Sequence, residues 1–236
     1  MHLTGHQEKE QNYYDSIFDR GYNTCNYYPL YNEVLQMISQ ISSPHILEVG
    51  CGVGDLGKMI VEKGYPYRGF DFSEVAVKCS QQLCPQGNFS VGDAYNIQCY
   101  LPRNYNIVVA LEVLEHINDL RMIENIPNGV ALIASVPNYD DPAHLRLYQD
   151  PNKDIIERFK PYLKIVDIKS FASPDPLGKA IFLFRGIRYF PISGRDTLST
   201  NDTEATPIFT PEAKRNPPSP CGRGKKYKKC CLLEKL

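Results

Sequence analysis

No stretch of this chain approaches the ~20 consecutive apolar residues that cross a bilayer, and its opening, "MHLTGHQEKEQNYYDSIF", lacks the apolar core of a secretory signal. A membrane span and an exported, disulfide-built domain are set aside, and a soluble cytoplasmic protein without membrane attachment is expected. Tryptophan is absent, so 16 tyrosines and 10 phenylalanines supply the large aromatic surfaces. No internal repeat is found, which argues against a repeat architecture. Without a leader, Cys25, Cys51, Cys79, Cys84 and Cys99 read as small reduced residues of the interior. The other three cysteines, Cys221, Cys230 and Cys231, crowd the end of the chain.

The 236 residues, 42% of them hydrophobic, suffice for one core of ordinary size and an appendage. The net charge of −1 hides an asymmetry. Residues 214–236 hold eight Lys or Arg against Glu234, a net of +7, whereas the rest of the chain carries 18 basic and 26 acidic side chains, a net of −8. A cationic tail on an acidic body either meets an anionic partner or keeps itself solvated. Residues 191–218 are dominated by Pro, Ser, Thr and charge and cannot bury enough apolar surface to fold alone. A flexible linker over 191–214 and a separate tail over 215–236 are therefore expected.

Residues 1–44 read as an N-terminal helical cap, because Tyr31, Val34, Leu35 and Ile38 recur at i, i+3, i+4 and i+7. From His45 the rhythm is strand, glycine loop, helix, with Leu56, Met59 and Ile60 as the helix's apolar stripe. "YRGFDF" is a second strand ending at Asp71, and Ser73 is placed to cap the helix that follows. "NFSVGD", "YNIVVALEVL" and "GVALIASV" supply three more strands, with a helix over 118–126 between the last two. This alternation implies right-handed βαβ units and a parallel sheet covered on both faces. A helix near 152–159 then leads to "LKIVDIKSF" and "KAIFLFRGIRYF", which suit an antiparallel hairpin.

The loop in "HILEVGCGVGDLGKMI" packs four glycines into eight positions. Gly52, Gly54 and Gly57 fit a dinucleotide pattern; Gly50, Gly52 and Gly54 fit a second pattern with Glu48 two residues ahead. Glycines at the carboxyl end of the first strand let backbone approach a ligand, and Asp71 stands where a carboxylate accepts ribose hydroxyls. Both features suit any adenosine ligand. Two others are more selective: Asp93 and the Ala94 N–H, after the third strand, suit an adenine edge, and "LEVLEH", after the fourth, puts carboxylates where a cationic sulfonium is tolerated.

Together "ILEVGCGVG", "GFDFS", "GDA" and "VVALEVLEHI" resemble the class I S-adenosylmethionine-dependent methyltransferases, over about residues 25–190. The resemblance implies an α/β fold: a doubly wound, mostly parallel, seven-stranded, Rossmann-like sheet over 45–190, ending in an antiparallel hairpin. It implies that Glu48, Gly50, Cys51, Gly52 and Gly54 line the methionine part of S-adenosyl-L-methionine, that Asp71 holds the ribose and that Phe72 lies against the adenine. Asp93 and Ala94 would read the adenine edge, and Leu111 and Glu112 would border the methyl group. His116 and His144, with Glu112, are candidate catalytic residues for removing the acceptor's proton.

The E-x-x-E-H spacing of Glu112, Glu115 and His116 is similar to that of metal-dependent small-RNA 2′-O-methyltransferases and some ubiquinone-biosynthesis O-methyltransferases. With His144, these residues could hold a divalent metal, Mg or Mn, within one turn if the segment is helical. The tail "RNPPSPCGRGKKYKKCC" resembles the SEC-C motif of bacterial proteins, a small zinc knuckle. Cys221, Cys230 and Cys231 keep three of its four ligand positions, and Ser219 stands in the first. The expected protein is a bacterial methyltransferase acting on an O or N nucleophile of a small molecule or sugar. The alternatives are methylation of a protein or RNA, with the basic tail contacting an acidic protein, ribosome or RNA, and a non-catalytic adaptor acting through the tail.

Overall fold

A computed structural model describes residues 1–21, 27–173 and 179–189. Cys25, the expected linker and the tail with Ser219 and Cys221, Cys230 and Cys231 lie outside the described residues.

The centre of the molecule is a seven-stranded sheet. Its parallel strands are β2 (Ile46–Val49), β3 (Tyr67–Asp71), β4 (Phe89–Val91), β5 (Ile107–Leu111) and β6 (Ala131–Pro137), completed by β8 (Leu163–Ala172) and β9 (Ala180–Arg188). The spatial order is β4-β3-β2-β5-β6-β9-β8, with β9 antiparallel to both β6 and β8. The glycine loop, the acid after the second strand and the terminal hairpin all fall where the sequence places them.

Helices cover both faces, so the strands are apolar on both sides, as parallel strands must be. Along β5, Ile107 and Val109 face one core while Val108 and Ala110 face the other. The first of these faces packs on α2 (Tyr28–Ser39), whose buried side chains are Leu30, Val34, Met37 and Ile38, and on α3 (Asp55–Glu62), which buries Leu56, Met59 and Ile60. The second packs on α5 (Asp119–Glu124) and α6 (Pro151–Phe159), which contribute Met122, Ile123, Ile155 and Phe159. Between α3 and α5 in the chain lies α4 (Glu74–Leu83), capped as expected by the Ser73 hydroxyl, which accepts from the Ala76 N–H at 3.1 Å. Cys51 and Cys84 are buried and Cys79 and Cys99 half-buried, all four as free thiols.

Within the expected N-terminal helical cap a strand forms besides the helices. The segment before α2 forms α1 (Gln11–Asp19), and residues His2–Leu3 form β1, which pairs antiparallel with β7 (Arg146–Leu147), just beyond His144. Both lean on the open edge of the sheet's carboxyl end rather than on the core, and α1 buries no residue completely. Their weak apolar content explains why periodicity missed them. Among the described residues no helix is long and apolar enough to cross a membrane.

Candidate active site

Sheet order reverses between β2 and β5, since β3 and β4 extend to one side and β6 to the other. A crevice opens there at the carboxyl ends of the strands. It is a cavity of about 680 Å³, and every cofactor-binding position expected from the sequence lines it, from Glu48 in β2 to Glu112 after β5.

The glycine loop is shaped by its backbone. Gly50 and Gly54 have φ of 71° and 89°, in the left-handed region, and a Cβ at Gly54 would lie 2.7 Å from Ser80 Cβ. Gly52 donates its N–H to Asp71 Oδ2 at 2.8 Å, and the Ser73 N–H reaches Oδ1 at 2.9 Å, so the acid after β3 ties the loop to α4. Gly57, the extra match to the dinucleotide pattern, lies inside α3 under the Tyr67 ring, where a Cβ would sit 2.4 Å from the hydroxyl. It serves packing, away from the ligand.

Glu48 is buried and accepts from the Tyr67 hydroxyl at 2.6 Å. Burial pushes its carboxyl up to about 8, with that hydrogen bond opposing. Burial also pushes the Cys51 thiol up. Phe72 is 39% exposed at the cavity wall. Asp93 uses Oδ1 to accept the Tyr95 N–H at 2.8 Å, and the Ala94 carbonyl takes the Tyr100 hydroxyl at 2.8 Å, which fixes the loop after β4.

Beyond β5, residues 112–118 form turns rather than the helix on which the one-turn expectation depended. Glu112 adopts φ of 53°, rare outside glycine. Ser135 in β6 holds it there: the Glu112 N–H donates to Ser135 Oγ at 2.9 Å and that hydroxyl donates to Glu112 Oε1 at 2.7 Å. Burial pushes the Glu112 carboxyl up to about 7. The turn sends Glu115 inward, where it is fully buried and neither carboxylate oxygen has a hydrogen-bond partner. Burial, reinforced by Glu112, keeps its carboxyl well above the usual range.

His116 and His144 meet beside it with ring centroids 4.8 Å apart, and His116 Nε2 lies 3.6 Å from Glu115 Oε1. The Nδ1 atoms face carbonyls, of Ala143 at 3.1 Å for His116 and of Tyr139 at 2.9 Å for His144. A carbonyl can only accept, so each Nδ1 carries the proton and each Nε2 keeps a lone pair. Burial and the neighbouring imidazole push His116 down to about 4, and burial also lowers His144. Ligand atoms of Glu115, His116 and His144 all lie within 4.8 Å of one another.

Arg146, Ile17 and Phe18 join the site without having been named from the sequence, beside Tyr13 and Tyr14 of the N-terminal cap. Arg146 in β7 donates to the carbonyls of Leu114 at 3.0 Å and Ile117 at 2.6 Å, which bracket the turn, and the Asp119 carboxylate pairs with both Arg146, at 3.5 Å, and Arg158, at 2.6 Å. Tyr13, Tyr14, Ile17 and Phe18 of α1 wall the cavity, with the Tyr14 ring edge-on to His116 at 6.0 Å. The spacing of Tyr14, Ile17 and Phe18, at i, i+3 and i+4, was the available clue.

Known proteins give a consistent answer. Residues 47–127 match the methyltransferase domain family, and residues 220–233 match the SEC-C motif. The ubiquinone biosynthesis O-methyltransferase of Nitrosomonas europaea is 29% identical over 92 residues, 37% of this chain, and the chain spans 39% of that relative's length. The protein of the same name from Methylococcus capsulatus is 22% identical over 73% of this chain and 78% of its own. Among solved structures, the magnesium protoporphyrin IX methyltransferase of Synechocystis with bound SAH superimposes with a TM-score of 0.59 at 17% identity, over 76% of this chain and 97% of that one. The N-methyltransferase NodS of Bradyrhizobium japonicum, also with SAH, gives 0.55 at 16% identity, over 75% and 98%. The sheet order, the crevice and the matched residues agree: the chain has the class I methyltransferase fold, with a methyltransferase domain match over residues 47–127 and a SEC-C motif match over residues 220–233.

Proposed function

We propose that the chain transfers the methyl group of S-adenosyl-L-methionine to an oxygen or nitrogen nucleophile of a small molecule or sugar. The observation that carries this reading is the convergence of eleven cofactor positions and of His116 and His144 on one cavity, with Glu115 buried beside the two imidazoles. The cofactor supplies an electrophilic methyl on a sulfonium sulfur. Asp71 is placed to bind its ribose, Phe72 to cover its adenine, and Glu48 and the glycine loop to receive its methionine part. The acceptor's lone pair forms the new bond to the methyl carbon while the C–S pair stays on sulfur, and the acceptor's proton passes to a base. Glu112, His116 and His144 are the bases within reach of the cavity.

A divalent metal fits the same corner. Glu115 offers two buried oxygens without partners, and two imidazoles present lone pairs beside it. Bound there, an ion would lower an acceptor hydroxyl's pKa and orient it. The cavity is biased against anionic acceptors, because Glu8, Glu10, Asp93 and Asp141 rim it against Lys9. Zinc at Cys221, Cys230 and Cys231, and delivery of the domain to an acidic protein, ribosome or RNA by the basic tail, are separate proposals resting on the motif alone.

The test is incubation of the protein with tritium-labelled cofactor and fractionated lysate. Label is expected in a low-mass fraction and is expected to vanish in Asp71→Ala. Label only in protein or RNA would sink the small-molecule reading, and no transfer at all would favour the adaptor.

A further inference from the structure

We infer that this chain divides its two glutamates: Glu115 joins His116 and His144 as a three-ligand metal set, and Glu112, held away by Ser135, stays outside it as the acceptor's base. The inference rests on the metal reading above and adds which side chains coordinate and which ion they take. The Ser135 hydroxyl has one proton, given to Glu112 Oε1, and it accepts the Glu112 N–H in return. Turning the Glu112 side chain toward the imidazoles would break the bond from the Ser135 hydroxyl and leave that buried proton unpaired, while the main-chain N–H bond to Oγ stays. Glu115 has the opposite surroundings. Its two oxygens face no donor, a state that a buried carboxylate tolerates badly unless an ion or a proton occupies it.

The main chain reinforces this split. Leu145 donates its N–H to the Glu115 carbonyl at 2.7 Å, and Arg146 grips the carbonyls of Leu114 and Ile117. The turn that aims Glu115 is thus pinned on both sides, independently of Glu112. Thr4 donates to the His144 carbonyl at 2.6 Å, which fixes the second imidazole from the β1 side. Two neutral imidazoles and one carboxylate form a set that favours transition ions, whereas Mg²⁺ prefers oxygen donors and water. With both imidazole lone pairs turned to the ion, Glu112, beside the ion's ligands after β5, is left as the base: as the acceptor O–C bond forms and the C–S pair returns to sulfur, the hydroxyl proton moves to Glu112.

Cobalt(II) titration of the untagged full chain, followed by proton NMR in water, reads the ligand set directly. Each coordinated imidazole carries an exchangeable Nδ1 proton that the paramagnetic ion shifts, and thiolates carry none. Two such signals are expected in the wild type, unchanged in number and in cobalt affinity, within about threefold, in Glu112→Gln. Glu115→Gln is expected to weaken binding by more than the roughly 10–100-fold typical of losing an outer partner. His144→Ala should leave one signal, and it serves if Glu115→Gln does not fold. Mg²⁺ in about hundredfold excess over cobalt is expected to leave both signals in place. Equal weakening by Glu112→Gln and Glu115→Gln, or displacement by Mg²⁺, would overturn the three-ligand assignment while leaving a metal site; absence of any shifted signal in the wild type would overturn the metal reading itself.

Discussion

Glu48 shows how a ligand site costs the empty protein stability. Its carboxyl is held up to about 8 by burial, whereas the unfolded chain releases that proton near 4.5. Between those values the folded state binds more protons, so stability falls as pH rises. His116 acts the other way: pushed down to about 4, it lets stability rise with pH until the unfolded histidine is neutral near 6.5. The two oppose below pH 6.5, and above it Glu48 continues alone apart from Glu112, which ends near 7, and Glu115, which acts in the same sense. Metal-free, cofactor-free protein is therefore expected to lose on the order of 1–2 kcal/mol between pH 6.5 and 8. Urea midpoints at the two pH values measure it, and Glu48→Gln should reduce the difference to what Glu112 and Glu115 contribute. At this scale the sequence was legible wherever a residue's neighbours in the chain dictate its position, as for Ser73 and Gly54. It was mute where a partner arrives from another strand: nothing local to Glu112 announces Ser135, and so both glutamates were expected as metal ligands.

Among the elements, α1 connects sequence to function by an indirect route. It carries Asp15, which accepts from the Ser73 hydroxyl and, at 3.4 Å, from the Val75 N–H, and so it docks on the start of α4 next to the acid after β3. Glu8, just before it, takes the Tyr95 hydroxyl at 2.7 Å, and the same hydroxyl receives the Asn118 N–H. These contacts stretch α1 across the cofactor crevice by polar bonds rather than by core packing. Asp15→Ala should remove about 1 kcal/mol of that docking and weaken S-adenosylhomocysteine binding roughly fivefold without lowering the melting temperature of the sheet. Calorimetric titration checks the first, and hydrogen exchange over residues 11–19 should quicken in parallel. The sheet strands and α2 to α6 were readable because each buries an apolar stripe with a fixed period. The β1–β7 pair buries little and leaves no period to find, and α1 leaves only the short spacing of Tyr14, Ile17 and Phe18.

For the whole molecule, the described body closes on itself before the basic segment begins. Arg188, buried at the end of β9, donates to the carbonyls of Ile123 and Tyr162, and the Tyr189 N–H bonds to Tyr162. A chain ended after Tyr189 is therefore expected to melt within a few degrees of the full chain and to bind S-adenosylhomocysteine unchanged. If the SEC-C cysteines hold zinc, that truncation removes one zinc per chain by atomic emission, and Cys221→Ser in the full chain does the same. A large loss of cofactor affinity on truncation would mean that the tail reaches the crevice. The absence of tryptophan has a practical sequel here. Phe72 stands half-open on the cavity wall, so Phe72→Trp would make a protein with one indole, excited apart from its sixteen tyrosines. Its emission would report adenine arrival against a dark background, giving this chain a built-in optical gauge for cofactor exchange.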